Sequence, residues 1–288
     1  MGLFDFLKRD RAAGGGDGDK ATVPGGKKLE ALGKKASDKR AQAYDRDEAL
    51  RALIDMGTPG AAGALLRRFK VKVDPSITDN EEKQMAFDGI VAIGRGEKGK
   101  RVEDEGKDGK EISSAALTDE EVAALRDAVV AHCKAYCARA ENLTWPLKVI
   151  RALHDDAGYE REVLSLLSQH DTEYTRNVEP KVNLLAALEG LASETVRQAV
   201  EAYLEDQDET VRFHAVQTLF TIGDGQSLAP LISMMAEEES VRIKNKVCDG
   251  IVAADWSAPE ELRPVMAQAM NDVYEYRLDV DSGRVTRA

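Results

Sequence analysis

The sequence is short of cysteines, aromatic residues, basic residues and long apolar runs. Three cysteines among 288 residues cannot build a disulfide framework, which argues against a small stapled secreted fold. No apolar run approaches the roughly 18–20 residues of a membrane-spanning helix, so no transmembrane segment is predicted. Lys and Arg number 40 against 52 Asp and Glu, and the net charge of −12 argues against a general nucleic-acid binder.

The charge is also unevenly distributed along the chain. Residues 1–40 carry ten basic and six acidic side chains, so they are net basic, whereas the remainder of the chain holds −16. A basic tail on an acidic body indicates that the two parts have different roles.

The chain opens with MGLFDFLKRDR, in which the apolar side chains precede the basic ones. A secretory signal has the reverse order, so we expect a cytoplasmic protein. On a helix the bulky apolar side chains of residues 1–11 share one side. This pattern is typical of segments that dock in a partner groove or lie on a membrane surface. The alternative is a short start that packs on its own body or frays, because two turns make no stable isolated helix. The candidate docking segment comprises Leu3, Phe4, Phe6, Leu7, Lys8 and Arg9.

Residues 12–36 are rich in Gly, Ala and Lys and contain almost no large apolar side chains. Such a composition buries too little surface to offset the entropy lost on ordering. We therefore expect a flexible linker at 12–36, with at most a helical turn at Lys28–Leu32, and a folded body at 37–288.

Three stretches of the body share one template of Ala, then Leu or Ile, then Met or Ile, and finally Gly. The apolar residues have i, i+4, i+7 spacing, which predicts one buried face of a helix. The glycine stands where a left-handed C-cap belongs. The repeat-structural residues are Ala49, Leu53 and Gly57, then Ala86, Ile90 and Gly94, and finally Ala215, Leu219 and Gly223. A second amphipathic helix follows two of these glycines, so the repeating unit is a helix pair.

The stretch DETVRFHAVQTLFTIGDGQSLAPLISMM, residues 208–235, resembles the HEAT-repeat family, of the kind with PBS-lyase HEAT-like repeats. The positions of its motif are occupied by Asp208, Val211, Arg212, Ala215, Leu219 and Gly223. The resemblance extends over about residues 45–270. It implies an all-α, right-handed solenoid of paired antiparallel helices, in which the motif specifies stacking rather than chemistry. Asp208 is expected to cap the next helix. Arg212 either bridges to an acid or carbonyls of a neighbouring repeat or is solvated.

Two places depart from the helical pattern. Residues 69–73 alternate apolar and basic side chains, and residues 95–114 are polar and rich in Gly, so we expect either a small edge sheet formed by these pieces or a disordered insertion at 95–114. The C-terminal stretch also alternates at Tyr274, Tyr276 and Leu278 before a turn at 281–283. A hairpin or an unstructured tail is expected there rather than a calcium loop.

The sequence offers no convergent catalytic or metal-binding group. His132, Cys133 and Cys137 lie on one predicted helix, but zinc needs a further ligand, and Cys248 is remote in sequence. No phosphate-binding loop and no triad pattern is present. We therefore predict no catalytic, cofactor-binding or metal residue. Trp145 is expected either to pack between repeats or to anchor a partner.

These features favour a non-catalytic scaffold that binds another protein, and the acidic body favours a partner with a basic surface. Two enzymatic alternatives exist among HEAT-like relatives, a phycobilin lyase type and a DNA glycosylase type. The acidic body, with few aromatics, argues against the second and against any nucleic-acid partner. A peripheral membrane adaptor that uses the docking segment as its foot is a further alternative, compatible with the scaffold.

Overall fold

The structure, a computed structural model, describes residues 26–98 and 117–288. In chain order its α-helices are α1 (Gly26–Ala36), α2 (Ala43–Met56), α3 (Pro59–Leu65), α4 (Ser76–Gly94), α5 (Asp119–Cys137), α6 (Thr144–Leu153), α7 (Asp156–Leu167), α8 (Glu179–Ala187), α9 (Glu194–Glu201), α10 (Glu209–Ile222), α11 (Leu228–Glu237), α12 (Val241–Ala254) and α13 (Arg263–Ala269). Short 3-10 segments lie at Leu66–Lys70, Ala202–Glu205, Gly225–Ser227 and Glu260–Leu262, and two strands follow, β1 (Tyr276–Asp279) and β2 (Arg284–Arg287). The predicted all-α class is confirmed.

The described chain divides into two compact units, which are treated separately. The first comprises residues up to 140 and residues 145–153, and the second comprises residues 141–144 and 154–288. The first unit contains the template residues of α2 and α4. Ala49, Leu53, Ala86 and Ile90 are all buried, as the i, i+4 spacing requires.

The prediction of a flexible linker at 12–36 is wrong for its last part, because residues 26–36 form α1. This helix packs on α2 and α3. It buries only small residues, Gly33 and Ala36, and a Cβ at position 33 would lie 3.2 Å from the Cβ of Ala64. A close approach of backbones therefore replaces the large apolar face whose absence suggested a linker. Residues 1–25, which include the docking segment, lie outside the described residues.

Among the described residues no strand forms at 69–73, since residues 66–70 form a 3-10 turn and 71–73 pair with no described strand. Two backbone groups that a ladder would use are already bonded to side chains. The fully buried Arg68 donates to the carbonyl of Val71 at 2.7 Å, and the Val73 amide donates to the carboxylate of Asp79 at 3.0 Å. Most of the other expected hairpin piece, residues 99–114, lies outside the described residues.

One template glycine has a different role from the one predicted. Gly57 and Gly223 end their helices with φ of 62° and 74°, in the left-handed region. Gly94, by contrast, is still helical, and the chain turns at Gly96 (φ 74°). A Cβ at position 94 would lie 2.8 Å from the side chain of Leu153, so close packing requires this glycine.

The second unit is an array in which α10 packs between α8 and α12 while α11 packs on α13. Val211, Ala215 and Leu219 of α10 are completely buried. The C-terminal hairpin is present: β1 and β2 pair antiparallel, with Leu278 opposite Val285, and β2 packs on α12.

Candidate functional site

The repeat motif residues of α10 serve the packing of the second unit. Asp208 is the N-cap, and its carboxylate accepts a hydrogen bond from the Thr210 amide at 2.8 Å. Such a cap satisfies an amide that the helix leaves free at its start.

Arg212 forms a two-pronged ion pair with an acid that follows the next helix. Its Nε and Nη2 donate to Glu238 at 2.7 and 3.0 Å, and its Nη1 donates to the carbonyl of Asp206 at 2.9 Å. Glu238 also accepts from the Ser240 amide at 2.8 Å. Burial disfavours the charged carboxylate, but these hydrogen bonds together outweigh burial and hold the pKa of Glu238 below its ordinary value.

The same arrangement recurs on the two neighbouring helices of the second unit. Lys181 of α8 pairs with Asp206 at 2.7 Å, both side chains being almost completely buried. Lys244 of α12 pairs with Asp272 at 2.9 Å, at a more exposed place. In each case a basic residue of one helix reaches an acid that follows the next helix. Sequence reasoning missed the two lysines. The signal for the acids was an Asp or Glu two residues before an N-cap, as with Asp206 and Glu238.

The first unit instead joins four of its buried charged side chains, Arg46, Arg68, Asp79 and Glu82, in one network. Glu82 accepts from Arg46 at 2.9 Å and from Arg68 at 2.8 Å. Arg68 also donates to Asp79 at 2.7 Å, and so does Lys83. Burial opposes the charged form of Asp79, but the hydrogen bonds from Lys83 and Arg68 together outweigh it and lower its pKa.

The cysteines singled out by sequence are divided between the units, with Cys133 and Cys137 on α5 and Cys248 on α12. Cys133, Cys137 and Cys248 are all buried, and burial raises the pKa of Cys137 and Cys248 to about 12. Thiols of this kind are poor nucleophiles at neutral pH. Burial also lowers the pKa of His170 and of His214. In residues 26–98 and 117–288 no three His, Cys, Asp or Glu side chains come together in a metal-binding arrangement.

Trp145 has a packing role within the first unit. It stacks on Phe69, with ring centroids 5.4 Å apart and planes within 11°, and lies 6.1 Å from Phe87. The ammonium of Lys148 lies over the Trp145 ring, 4.8 Å from its centroid. The three rings are half-buried, so Trp145 contributes to internal packing while part of its surface stays accessible.

A second aromatic group in the second unit carries two cations. The guanidinium of Arg242 lies 4.0 Å from the ring centroid of Phe213, and the Lys246 ammonium lies 5.5 Å from it. His214 is beside this ring at 5.9 Å. Together with Asn245, these residues are called the Phe213 surface. The enclosed atoms His214 Nδ1 and Asn245 Oδ1 have no hydrogen-bond partner among the described residues.

This surface lies where α10 packs on α12, and part of it stays accessible. Phe213 is half-buried, and the side chain of Arg242 is 59% exposed. Half-exposed aromatic and Arg side chains are enriched where proteins contact one another. The sequence signal that could have found it is the run VRIKNK at the start of α12, which holds three cations and no acid.

Comparison with known families finds a match for the helical array that carries the Phe213 surface. Residues 164–248 match the family model for HEAT repeats, from within α7 to within α12. The resemblance drawn from residues 208–235 is therefore confirmed at the level of the repeats, and with it the helical solenoid. Neither the comparison with curated proteins nor that with solved structures gives a match.

The described part of the chain contains no helix both long enough and apolar enough to span a bilayer. The candidate docking segment, Leu3 to Arg9, cannot be placed because it lies outside the described residues.

Proposed function

We propose that the chain is a non-catalytic scaffold that binds another protein through the Phe213 surface. HEAT repeats generally mediate protein–protein interaction. The observation that carries the proposal is the stacking of Arg242 on a half-exposed Phe213 inside the matched repeats. A guanidinium that lies over an aromatic ring can still donate hydrogen bonds to a carboxylate.

The charge expected of the partner follows from the net charge of the chain and from the local charges at the Phe213 surface. The −16 charge of the chain beyond residue 40 attracts a basic protein over long range. At the Phe213 surface Arg242 and Lys246 place two cations on the ring, and the Arg242 guanidinium lies 3.7 Å from the carboxylate of Glu209, for which a partner's acid would substitute. We therefore expect a partner that is basic overall and places an acidic side chain on this ring.

The test is capture of protein partners by the full-length chain and by two charge-reversal variants. Arg242→Glu is expected to lower the recovery of a specific partner about tenfold, a loss typical of an interfacial arginine. Arg176→Glu is the matched control, because Arg176 is an exposed arginine of the same unit. Equal recovery by both variants would refute the Phe213 surface as the contact.

External docking of the first segment is a second candidate role. Leu3, Phe4, Phe6 and Leu7 with the adjacent basic residues fit reversible attachment to an anionic membrane surface. Co-sedimentation of the full chain with anionic vesicles tests it, and the variant Phe4→Asp/Phe6→Asp is expected to lose binding. Vesicle binding that is unchanged in the variant would exclude this role.

A further inference from the structure

An open apolar groove runs between α2 and α4 in the first unit. It has a volume of about 530 Å³. Ile54 and Met85 are half-buried in it, and Gly89 and Ala92 add further small apolar surface. Nothing among the described residues fills it. A groove of this size and chemistry accepts several apolar side chains.

The rim of the groove is acidic. Glu81, Asp88 and Asp55 border it and are exposed. Arg51 also borders it but is paired with Asp47 at 2.7 Å, so its charge is compensated locally. Lys98 is the remaining cation of the rim. An occupant with apolar side chains followed by basic ones therefore fits the groove best.

We propose that the groove binds the first segment of this same chain, residues 3–9. This segment presents four large apolar side chains and then two consecutive cations, Lys8 and Arg9. The inference does not rest on the Phe213 surface, which belongs to the second unit.

Residues 99–116 are the nearest alternative occupant of the groove, and their charge fits its rim less well than that of the first segment. Residues 99–116, which continue the chain from the rim, carry four basic and five acidic side chains and only two large apolar ones, Val102 and Ile112. Their net negative charge matches the sign of the rim. Residues 1–11 carry three basic and two acidic side chains, and their charge is opposite to that of the rim.

The chain between the segment and the body is long enough. Residues 10–25 can span up to about 50 Å when extended. A unit of this size has a radius of gyration of about 14 Å. The helix that follows, α1, packs on α2, which forms one wall of the groove. At an effective concentration of about 1 mM, even a weak site with a Kd of about 0.1 mM is about nine-tenths occupied.

The proposal makes the groove a resting site for the tail. An external partner or membrane surface would then have to displace the segment before binding it, so the first unit and the external target compete for the same side chains.

Disulfide trapping in the full-length chain tests the proposal. The pair Asp5→Cys and Gln84→Cys places one thiol inside the segment, without removing its apolar side chains, and one on the exposed rim. The native cysteines are buried and do not compete. The control pair is Asp5→Cys with Asp127→Cys, an exposed position on α5 of the same unit. We expect the rim pair to close within one chain about tenfold faster than the control pair, since docking raises the local concentration.

A charge exchange tests the complementarity without touching the apolar floor. Glu81→Lys/Asp88→Lys is expected to slow the trapping, and adding Lys8→Glu/Arg9→Glu is expected to restore it. Equal trapping rates in the rim and control pairs, or rates indifferent to the charge exchange, would overturn the proposal. So would a product that forms only between chains, which would make a second copy the occupant. Faster closure of Gln84→Cys with Val102→Cys than with Asp5→Cys would also overturn it, in favour of residues 99–116.

Discussion

The first unit and helices α8, α10 and α12 of the second unit pair their buried cations with acids in different ways. In the first, Arg46, Arg68 and Lys83 share two carboxylates in one enclosed network. In the second, Lys181, Arg212 and Lys244 each have an acid of their own, at successive repeats. Family-level similarity falls on the second unit, with the regular spacing. Each ion pair of the second unit's motif therefore joins only two side chains, whereas in the first unit α2, α4 and the 3-10 segment at residues 66–70 all depend on the carboxylate of Glu82.

Removal of the carboxylate of Glu82 is expected to lower the free energy of unfolding more than any other change considered. Glu82→Ala leaves Arg46 and Arg68 buried without it, and removing one partner of a buried pair costs about 3–5 kcal/mol in the free energy of unfolding. Urea unfolding of the full chain measures the loss. Glu81→Ala, at the exposed neighbouring position, is the control and should change stability by no more than about 0.5 kcal/mol. Similar losses in the two variants would show that the network is not a stability determinant.

In the second unit the pair of Lys181 and Asp206 is almost completely buried and gives the clearest test. Asp206→Ala is expected to cost about 3 kcal/mol, because Lys181 stays buried without its acid. The double variant Lys181→Met/Asp206→Ala should cost less than the sum of the two single variants, by about 2 kcal/mol. A double-mutant cycle followed by chemical unfolding gives this coupling, and additive costs would contradict a direct pairing.

Acidification probes both units at once. The pKa values of Asp79 and Glu238 are lowered on folding, so their contribution to stability is present above the unfolded pKa and lost as pH falls through the folded pKa. With ordinary values near 4, the urea midpoint should be steady above about pH 5 and fall below about pH 4. Glu238→Gln should weaken the chain at pH 7 and flatten part of this fall. A midpoint that drops just as steeply in the variant would assign the pH dependence to other carboxylates.

The smallest effect belongs to the most exposed pair. The Asp272 side chain is 45% exposed, so Asp272→Asn should cost less than about 1 kcal/mol. Raising the salt concentration to about 1 M should remove most of this difference, because exposed pairs are screened. A cost as large as that of Asp206→Ala would mean that the repeat position, and not burial, sets the strength of the pair.

The sequence predicted what depends on period. The spacing of Ala215 and Leu219 predicted a buried helix face, and the alternation around Tyr276 predicted either the hairpin that is present or an unstructured tail. What the sequence did not show depends on which residues pack together. A lysine is usually solvated, but Lys181 is buried because its ammonium pairs with Asp206 and donates to the carbonyl of Glu173 at 2.9 Å. The small residues of α1 looked like a linker because close backbone approach leaves no apolar signature. Residues 69–73 have the alternation of a strand, but the Val71 carbonyl and the Val73 amide form hydrogen bonds with the side chains of Arg68 and Asp79 instead.

The Phe213 surface was missed for a related reason. Its cations come from α12 and its ring from α10, so no window of local sequence contains the arrangement. Only the packing of the two helices brings Arg242 onto Phe213.

Two of the paired acids, Asp206 and Glu238, lie where one repeat ends and the next begins. Asp206 accepts from the Asp208 amide at 2.9 Å and Glu238 from the Ser240 amide, so each acid serves the repeat before it and the repeat after it. A stretch cut from residue 206 to residue 237 would therefore carry one such acid with it and present another, chemically equivalent one in its place. After such a deletion Lys181 would still face a carboxylate, that of Glu238 in place of Asp206. The number of repeats can thus change while the ion pairing between successive repeats is kept.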